Sequence, residues 1–281
     1  MRQGESLLPF PDRRTAGTLL AERLTRAVAL DDWAERVVVL ALPRGGVAVA
    51  KQLVDPFDCD FSYVPAWALN EKTRADDVIR VGHDPIFLRA LEIPGASVEG
   101  YLFPDTYQFA KGVTPEEMLA RMVAKMRAQL TPDILKAAED RGLNAHQLLT
   151  LASIIEREGV ERSELPLISA VFWNRLKLDM PLQADPTVQY AVGKGRQVLT
   201  RADLQVDHPF NTYRRVGLPP GPIASPGRAS LEAAVRPADA DYLYFVSRND
   251  GSHEFARTLD EHNRNVQKFQ VKYFKDRREH P

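Results

Sequence analysis

Two carboxylates, Glu156 and Glu158, close an apolar helical pattern in the stretch LLTLASIIEREGVER, residues 148–162, and the pattern stops at Gly159. Leu148, Leu151, Ala152 and Ile155 share one helical face, and Glu156 lies beside it, one turn beyond Ala152. The end of a helix carries partial negative charge, which disfavours a carboxylate there. A second acid close by and partial burial push in the same direction. A carboxyl group that keeps its proton near neutral pH suits general acid catalysis. Taken alone, the segment reads first as a solvated helix end with two ordinary acids, because a single perturbed carboxylate is only a pointer to function.

Two long segments supply groups that such an acid would need around it. LQADPTVQYAVG carries Gln183, Asp185, Thr187 and Tyr190, and HPFNTYRRVGLPPGPIASPG carries Asn211, Tyr213, Pro219 and Ser225. Loops held in shape by Pro and Gly are common seats of binding groups. Their polar side chains suit a sugar, whose hydroxyls need donors and acceptors and whose ring faces accept aromatic contact. Turn chemistry explains any single Asn or Tyr there equally well.

Composition narrows the classes. The chain has 281 residues, 44% hydrophobic and 27% charged, with a formal net charge of -1. That is a globular balance without the basic field expected of a nucleic-acid binder. One cysteine, Cys59, forms no internal disulfide, and six histidines scattered along the chain give no metal-ligand cluster. The longest apolar run, VVVLAL at 37–42, is far short of the roughly 20 residues of a membrane span. The N-terminus lacks a signal peptide's order of basic, apolar and small residues. As written, the chain is therefore expected to stay in the cytoplasm.

The elements that must position these residues follow from periodicity. The first segment reads as helix, strand, loop and helix, with VVVLAL as the strand and PRGG as the turn. This α/β pattern does not continue past a Pro- and Asp-rich stretch at about 55–84. Beyond it, TPEEMLARMVAKMRAQL predicts a helix with Thr114 and Glu117 as a capping box and Pro115 at its first position. NAHQLLTLASIIERE predicts another, capped by Asn144 and stopped by Gly159, and SELPLISAVFWNRLKL a third. MPLQADPTVQYAVGKG reads as loop. SLEAAVRPA is a short helix. DYLYFVSR and HEFARTL pair as strands across NDGS, and a charged helix closes the chain.

Seven segments then carry a resemblance: EGYLFPDTYQF, LASIIEREG, VFWNRL, MPLQADPTVQYAVG, NTYRRVGLPPGPIASPG, DYLYFVSR and HEFARTLDEHN. In this order they resemble the catalytic domain of the endolytic murein transglycosylases, the MltG or YceG-like family, over about residues 84–270. The resemblance implies a lytic transglycosylase acting on peptidoglycan glycan strands. In the family the catalytic glutamate lies in the segment matching SIIEREG, which assigns it to Glu156, with Glu158 as the alternative. That carboxyl group would protonate the glycosidic oxygen between MurNAc and GlcNAc. It would then act as base on the C6 hydroxyl of the same MurNAc, which closes onto C1 as a 1,6-anhydro ring. The substrate supplies its own nucleophile, so no second enzymatic carboxylate is needed, and no metal or organic cofactor. Gln183, Asp185, Thr187, Tyr190, Asn211, Tyr213 and Ser225 become candidate substrate contacts, Asn211 and Tyr213 foremost, with Asp185 orienting its neighbours. His253 and His262 read as structural. The resemblance further implies partnership with the cell-wall synthesis machinery and a location on the outer side of the cytoplasmic membrane, where the family is anchored by a membrane-spanning helix ahead of a small LysM-like module.

The first 70 or so residues are similar instead to the opening of phosphoribosyltransferases, in which LPRGG follows the first strand and its amides meet pyrophosphate. The later phosphate loop of that family is missing, although Asp76 and Asp77 are paired acids, so Arg44, Gly45 and Gly46 read as a tight turn. The expectation is an α+β catalytic domain with helices and a small sheet at 84–281, preceded by a truncated, partial α/β segment at 1–83, as in a fusion. Alternatives are a glycan-binding module without turnover, an inactive fusion product, and a phosphoribosyl transferase.

Overall fold

A computed structural model of the chain describes residues 75–109, 112–193 and 198–273. The expected α/β segment with Arg44, Gly45 and Gly46 lies outside the described residues. The chain divides into two compact units, Met1–Ser97 with Pro104–Met122, and Val98–Phe103 with Val123–Pro281.

In the first unit, helices α1 (Ala75–Gly82) and α2 (Pro85–Ala90) pack on one another. Asp84 caps α2, its side chain accepting from the Ile86 amide at 2.7 Å, with Pro85 in the first turn. Arg121 lies over the Phe109 ring and donates to the Gln108 carbonyl at 3.0 Å. Helix α3 (Pro115–Gln129) starts as its sequence requires. The Thr114 amide donates to Glu117, and the Glu117 amide donates back to Thr114 Oγ1.

The second unit is built around helix α5 (Ala145–Glu158). Leu148 to Ile155 are all buried, so this helix is apolar nearly all round and runs through the core. Its capping box joins Asn144 and Gln147, and Gly159 ends it. Helices α4 (Pro132–Glu139), α6 (Leu165–Lys177), α7 (Asp185–Ala191) and α8 (Arg228–Val235) pack against it, α8 most extensively. The strands β1 (Tyr244–Ser247) and β2 (His253–Ala256) form an antiparallel pair, with Phe245 opposite Phe255. Asn249 and Gly251 take the positive φ that the NDGS turn demands. Helix α9 (Leu259–Val266) follows behind a second capping box, Thr258 with Glu261, and packs on both strands. Helices with one small antiparallel sheet make the fold α+β. Among the described residues no helix is long and apolar enough to cross a membrane.

One expectation is corrected. Residues 180–193 read as loop, yet Asp185–Ala191 is helical. Pro186 fits a helix's first turn, and Gly193, at φ +67, closes the segment. The effect is to set Asp185 on a fixed element packed against α5.

Candidate active site

The long loop before α8 is fastened along one face of α5. His146 Nε2 hydrogen bonds to the Pro220 carbonyl at 2.8 Å, and its Nδ1 meets the Tyr101 hydroxyl at 2.6 Å. The carbonyl only accepts, so Nε2 carries a proton, and Nδ1 pairs with the Tyr101 hydroxyl. Two turns along, Ser153 Oγ accepts from the Ile223 amide at 3.0 Å. Three residues later, Glu156 Oε2 accepts from the Gly227 amide at 3.1 Å and from Ser230 Oγ at 2.6 Å. Residues 146, 153 and 156 are spaced to share one helical face. Gly100, at φ +82, completes this region, because a Cβ there would overlap the Pro222 ring.

Glu156 therefore works as a cap supplied from another element. Helix α8 begins at Gly227, which has no side chain to satisfy the first amides. The Glu156 carboxylate instead accepts from the amide of Gly227 itself, at the helix end that carries partial positive charge. Ser230, fully buried, adds a second donor.

Glu158 points to different surroundings. It is the last residue of α5, half-buried, and hydrogen bonding contributes nothing to its protonation balance. Burial, followed by the charge of Asp185, pushes its carboxyl pKa up to about 8, against the opposing charges of Arg157 and Arg175. At neutral pH it is predominantly protonated.

Three groups ring it. Asp185 opens α7 and accepts from the Tyr213 hydroxyl at 2.5 Å. Burial and Asp185 together raise the Tyr213 pKa, so the phenol keeps its proton. Arg175 on α6 is 6% exposed, lies over the Tyr244 ring, and donates to the carbonyls of Leu243, Pro181 and Leu182 and to Gln183 Oε1. It ties the 181–183 segment, with Gln183 at φ +51, to the chain entering β1.

The other expected contacts divide by burial. Gln183 and Tyr190 are exposed, the Tyr190 ring 4.9 Å from that of Phe210. Thr187 is fully buried, donating to the Ala184 carbonyl at 2.7 Å and meeting Thr212 Oγ1 at 2.9 Å. Asn211 is also fully buried, donating to the Leu204 and Val206 carbonyls while its Oδ1 accepts from the Tyr213 amide. Ser225 is buried in the loop above α5. His253 pairs with Glu164 at 2.8 Å, and His262 stacks on Tyr244. Arg175 and Ser230 were missed as partners of the glutamates. A lone arginine within the apolar VFWNRL was the available signal.

A hydrogen-bonded Glu156 and a Glu158 whose pKa is pushed up lie at one helix end of an α+β domain, and both carboxyls remain candidate acids. The sequence model of the YceG-like family matches residues 21–268, and the chain belongs to that family. It is 43% identical over 172 residues to the endolytic murein transglycosylase of Bacillus subtilis (strain 168), covering 61% of this chain and 48% of that protein. It is 36% identical over 192 residues to the endolytic murein transglycosylase of Streptococcus pneumoniae serotype 2, covering 65% of this chain and 35% of that one. The match thus spans about half or less of these relatives' lengths. A crystal structure of a yceG-like protein from Listeria monocytogenes superposes with a TM-score of 0.67 at 33% identity, covering 89% of this chain and 80% of that one.

Proposed function

We propose that this chain cleaves peptidoglycan glycan strands as a lytic transglycosylase, with Glu158 as its acid and then its base. The observation that carries this reading is the contrast at the end of α5, where Glu156 is hydrogen bonded to the Gly227 amide and Ser230 while burial and the charge of Asp185 push the Glu158 pKa up to about 8. Relatives named endolytic murein transglycosylases support the substrate class.

In this mechanism the Glu158 proton moves to the glycosidic oxygen between MurNAc and GlcNAc as the C1–O bond breaks. The charge developing at C1 is met by the C6 hydroxyl of the same sugar. Glu158, now a carboxylate, takes the C6 proton as that oxygen bonds to C1, and the protonated acid is restored. No water is consumed. A hydrolase of ordinary type needs a second carboxylate to activate water or attack C1, whereas here the intramolecular hydroxyl does that work.

Thr187, Asn211 and Ser225 support the loops from beneath in this reading. Gln183, Tyr190 and Tyr213 remain to meet the sugar. Peptidoglycan lies outside the cytoplasmic membrane, so the reading also requires that the chain act there, which fractionation of cells making the untagged chain tests. The activity test is digestion of purified peptidoglycan followed by mass spectrometry of the new ends. Anhydro-MurNAc termini support the reading. Termini that are all reducing would identify a hydrolase, and binding without new ends would identify a glycan-binding module.

A further inference from the structure

Helix α7 and the segment 208–213 are joined along a seam. At the start of α7, Asp185 accepts from the Tyr213 hydroxyl at 2.5 Å. In the middle, Thr212 Oγ1 accepts from the Ala184 amide at 3.1 Å and meets Thr187 Oγ1 at 2.9 Å. At the far end the Tyr190 ring lies 4.9 Å from that of Phe210, tilted by 43°. Tyr190 stands five residues after Asp185, about 7.5 Å further along the helix axis. The seam thus carries aromatic groups at both ends, Tyr213 at one and the Tyr190–Phe210 pair at the other.

The middle of the seam is closed, since Thr187, Asn211 and Thr212 are all buried. The far end is open: Tyr190 is 39% exposed and Phe210 is half-buried. The Phe210 ring is nevertheless held in place. The His208 ring lies 5.7 Å from it, and a Cβ added at Gly221 would stand 4.0 Å from Phe210 Cζ, so the backbone of the loop above α5 runs beside the ring. His208 Nδ1 accepts from the Phe210 amide at 3.2 Å, which leaves Nε2 as the nitrogen that donates. The Tyr190 hydroxyl and His208 Nε2 therefore bring polar groups to a surface otherwise made of aromatic faces.

That combination matches a pyranose ring, whose faces present C–H groups and whose edges present hydroxyls. Tyrosine has the same division into an apolar body and a polar tip. A protein partner fits less well, because a stable interface covers about 800 Å² on each side, far more than two partly covered rings offer.

We propose that Tyr190 and Phe210 form a stacking subsite for a sugar ring of the glycan strand, displaced along the strand from the sugar at which cleavage occurs. This inference rests on glycan strands being the substrate. Phe210 thereby joins the binding surface, and Tyr190 acts through its ring rather than its hydroxyl. The subsite holds the strand and touches no reacting atom.

The test uses the full chain and purified glycan strands freed of stem peptides, with equilibrium binding and steady-state cleavage measured for the parent, Tyr190→Ala, Phe210→Leu, Tyr190→Phe and Tyr190→Trp. Tyr190→Ala and Phe210→Leu are expected to weaken strand binding about tenfold, as removal of an aromatic contact of this size allows. The loss should fall on KM rather than kcat, the mark of an interaction made equally before and during the reaction. Tyr190→Phe, which keeps the ring, should bind like the parent. Tyr190→Trp reports from the site itself, and its added emission should shift when strands bind. Unweakened binding in both Tyr190→Ala and Phe210→Leu overturns the inference. So does a loss confined to kcat, a Tyr190→Phe variant as weak as Tyr190→Ala, or Tyr190→Trp emission that ignores the strands. Failure of the underlying reading looks different: the parent itself would then bind no glycan strands.

Discussion

Glu156 and Glu158 leave the last turn of α5 roughly 200° apart, and the two sides of that helix end were built for different work. On the Glu156 side, α5 holds a loop. His146, Ser153 and Glu156 bond in turn to Pro220, Ile223 and Gly227, and Glu156 finishes by capping α8. Donors converge there on a carboxylate at the positive end of a helix. On the Glu158 side the carboxyl stands at the negative end of its own helix, with Asp185 before it. One side stabilises charge and the other opposes it. The same residue type two positions apart thus meets hydrogen-bond donors in one case and burial beside a like charge in the other.

The largest effect that sharpens the contrast is chemical. Glu158→Gln removes the proton donor and is expected to lower turnover of glycan strands by about 10²–10⁴-fold. Glu156→Gln keeps an acceptor for Gly227 and Ser230 and is expected to stay within several-fold of the parent. Initial rates of anhydro-end formation check both, and equal losses would erase the distinction.

Next in size is the support behind the cleft. Arg175→Met leaves the carbonyls of Leu243, Pro181 and Leu182 without their donor, and a cost on the order of 3 kcal/mol is expected in urea unfolding. An unchanged midpoint would mean that water replaces the guanidinium freely. On the other side of α5, Glu156→Ala removes two hydrogen bonds at the start of α8, with an expected loss of about 1–3 kcal/mol. Activity per folded molecule should survive largely intact.

The smallest effect is a slope. The Glu158 pKa is about 8 folded against 4.5 for the free group. Between those values the folded state holds a proton that the unfolded state has released, so this group's contribution to stability falls as pH rises from 4.5 to 8. Glu158→Gln should flatten that part of the stability–pH curve, measured by unfolding at several pH values. A curve parallel to the parent's would deny the raised pKa.

Much of the frame was legible in the residues. Asn144 with Gln147 and Thr114 with Glu117 announce helix starts because capping is local chemistry, and NDGS announces its hairpin for the same reason. The α7 helix was hidden in a Pro- and Gly-rich stretch, where Pro186 reads as a breaker unless the start of a helix is already known. Asn211 and Thr187 have the right chemistry for a sugar, but their bonds to Leu204, Val206, Ala184 and Thr212 exist only once the loops close. The sequence reading assigned the acid to Glu156 and kept Glu158 as the less favoured alternative. Their division depends on α7 and α8 packing against opposite sides of one helix end, and helical spacing states that the two diverge but not what each one meets.

The most direct measurement is carbon-13 NMR titration of the glutamate side-chain carboxyls in the full chain, with Glu156→Gln and Glu158→Gln to assign the signals. The expected result is a carboxyl titrating near pH 8 that disappears in Glu158→Gln and persists in Glu156→Gln. A Glu158 signal that titrates near 4.5, or an elevated midpoint that survives Glu158→Gln, would contradict the division of roles between the two carboxylates.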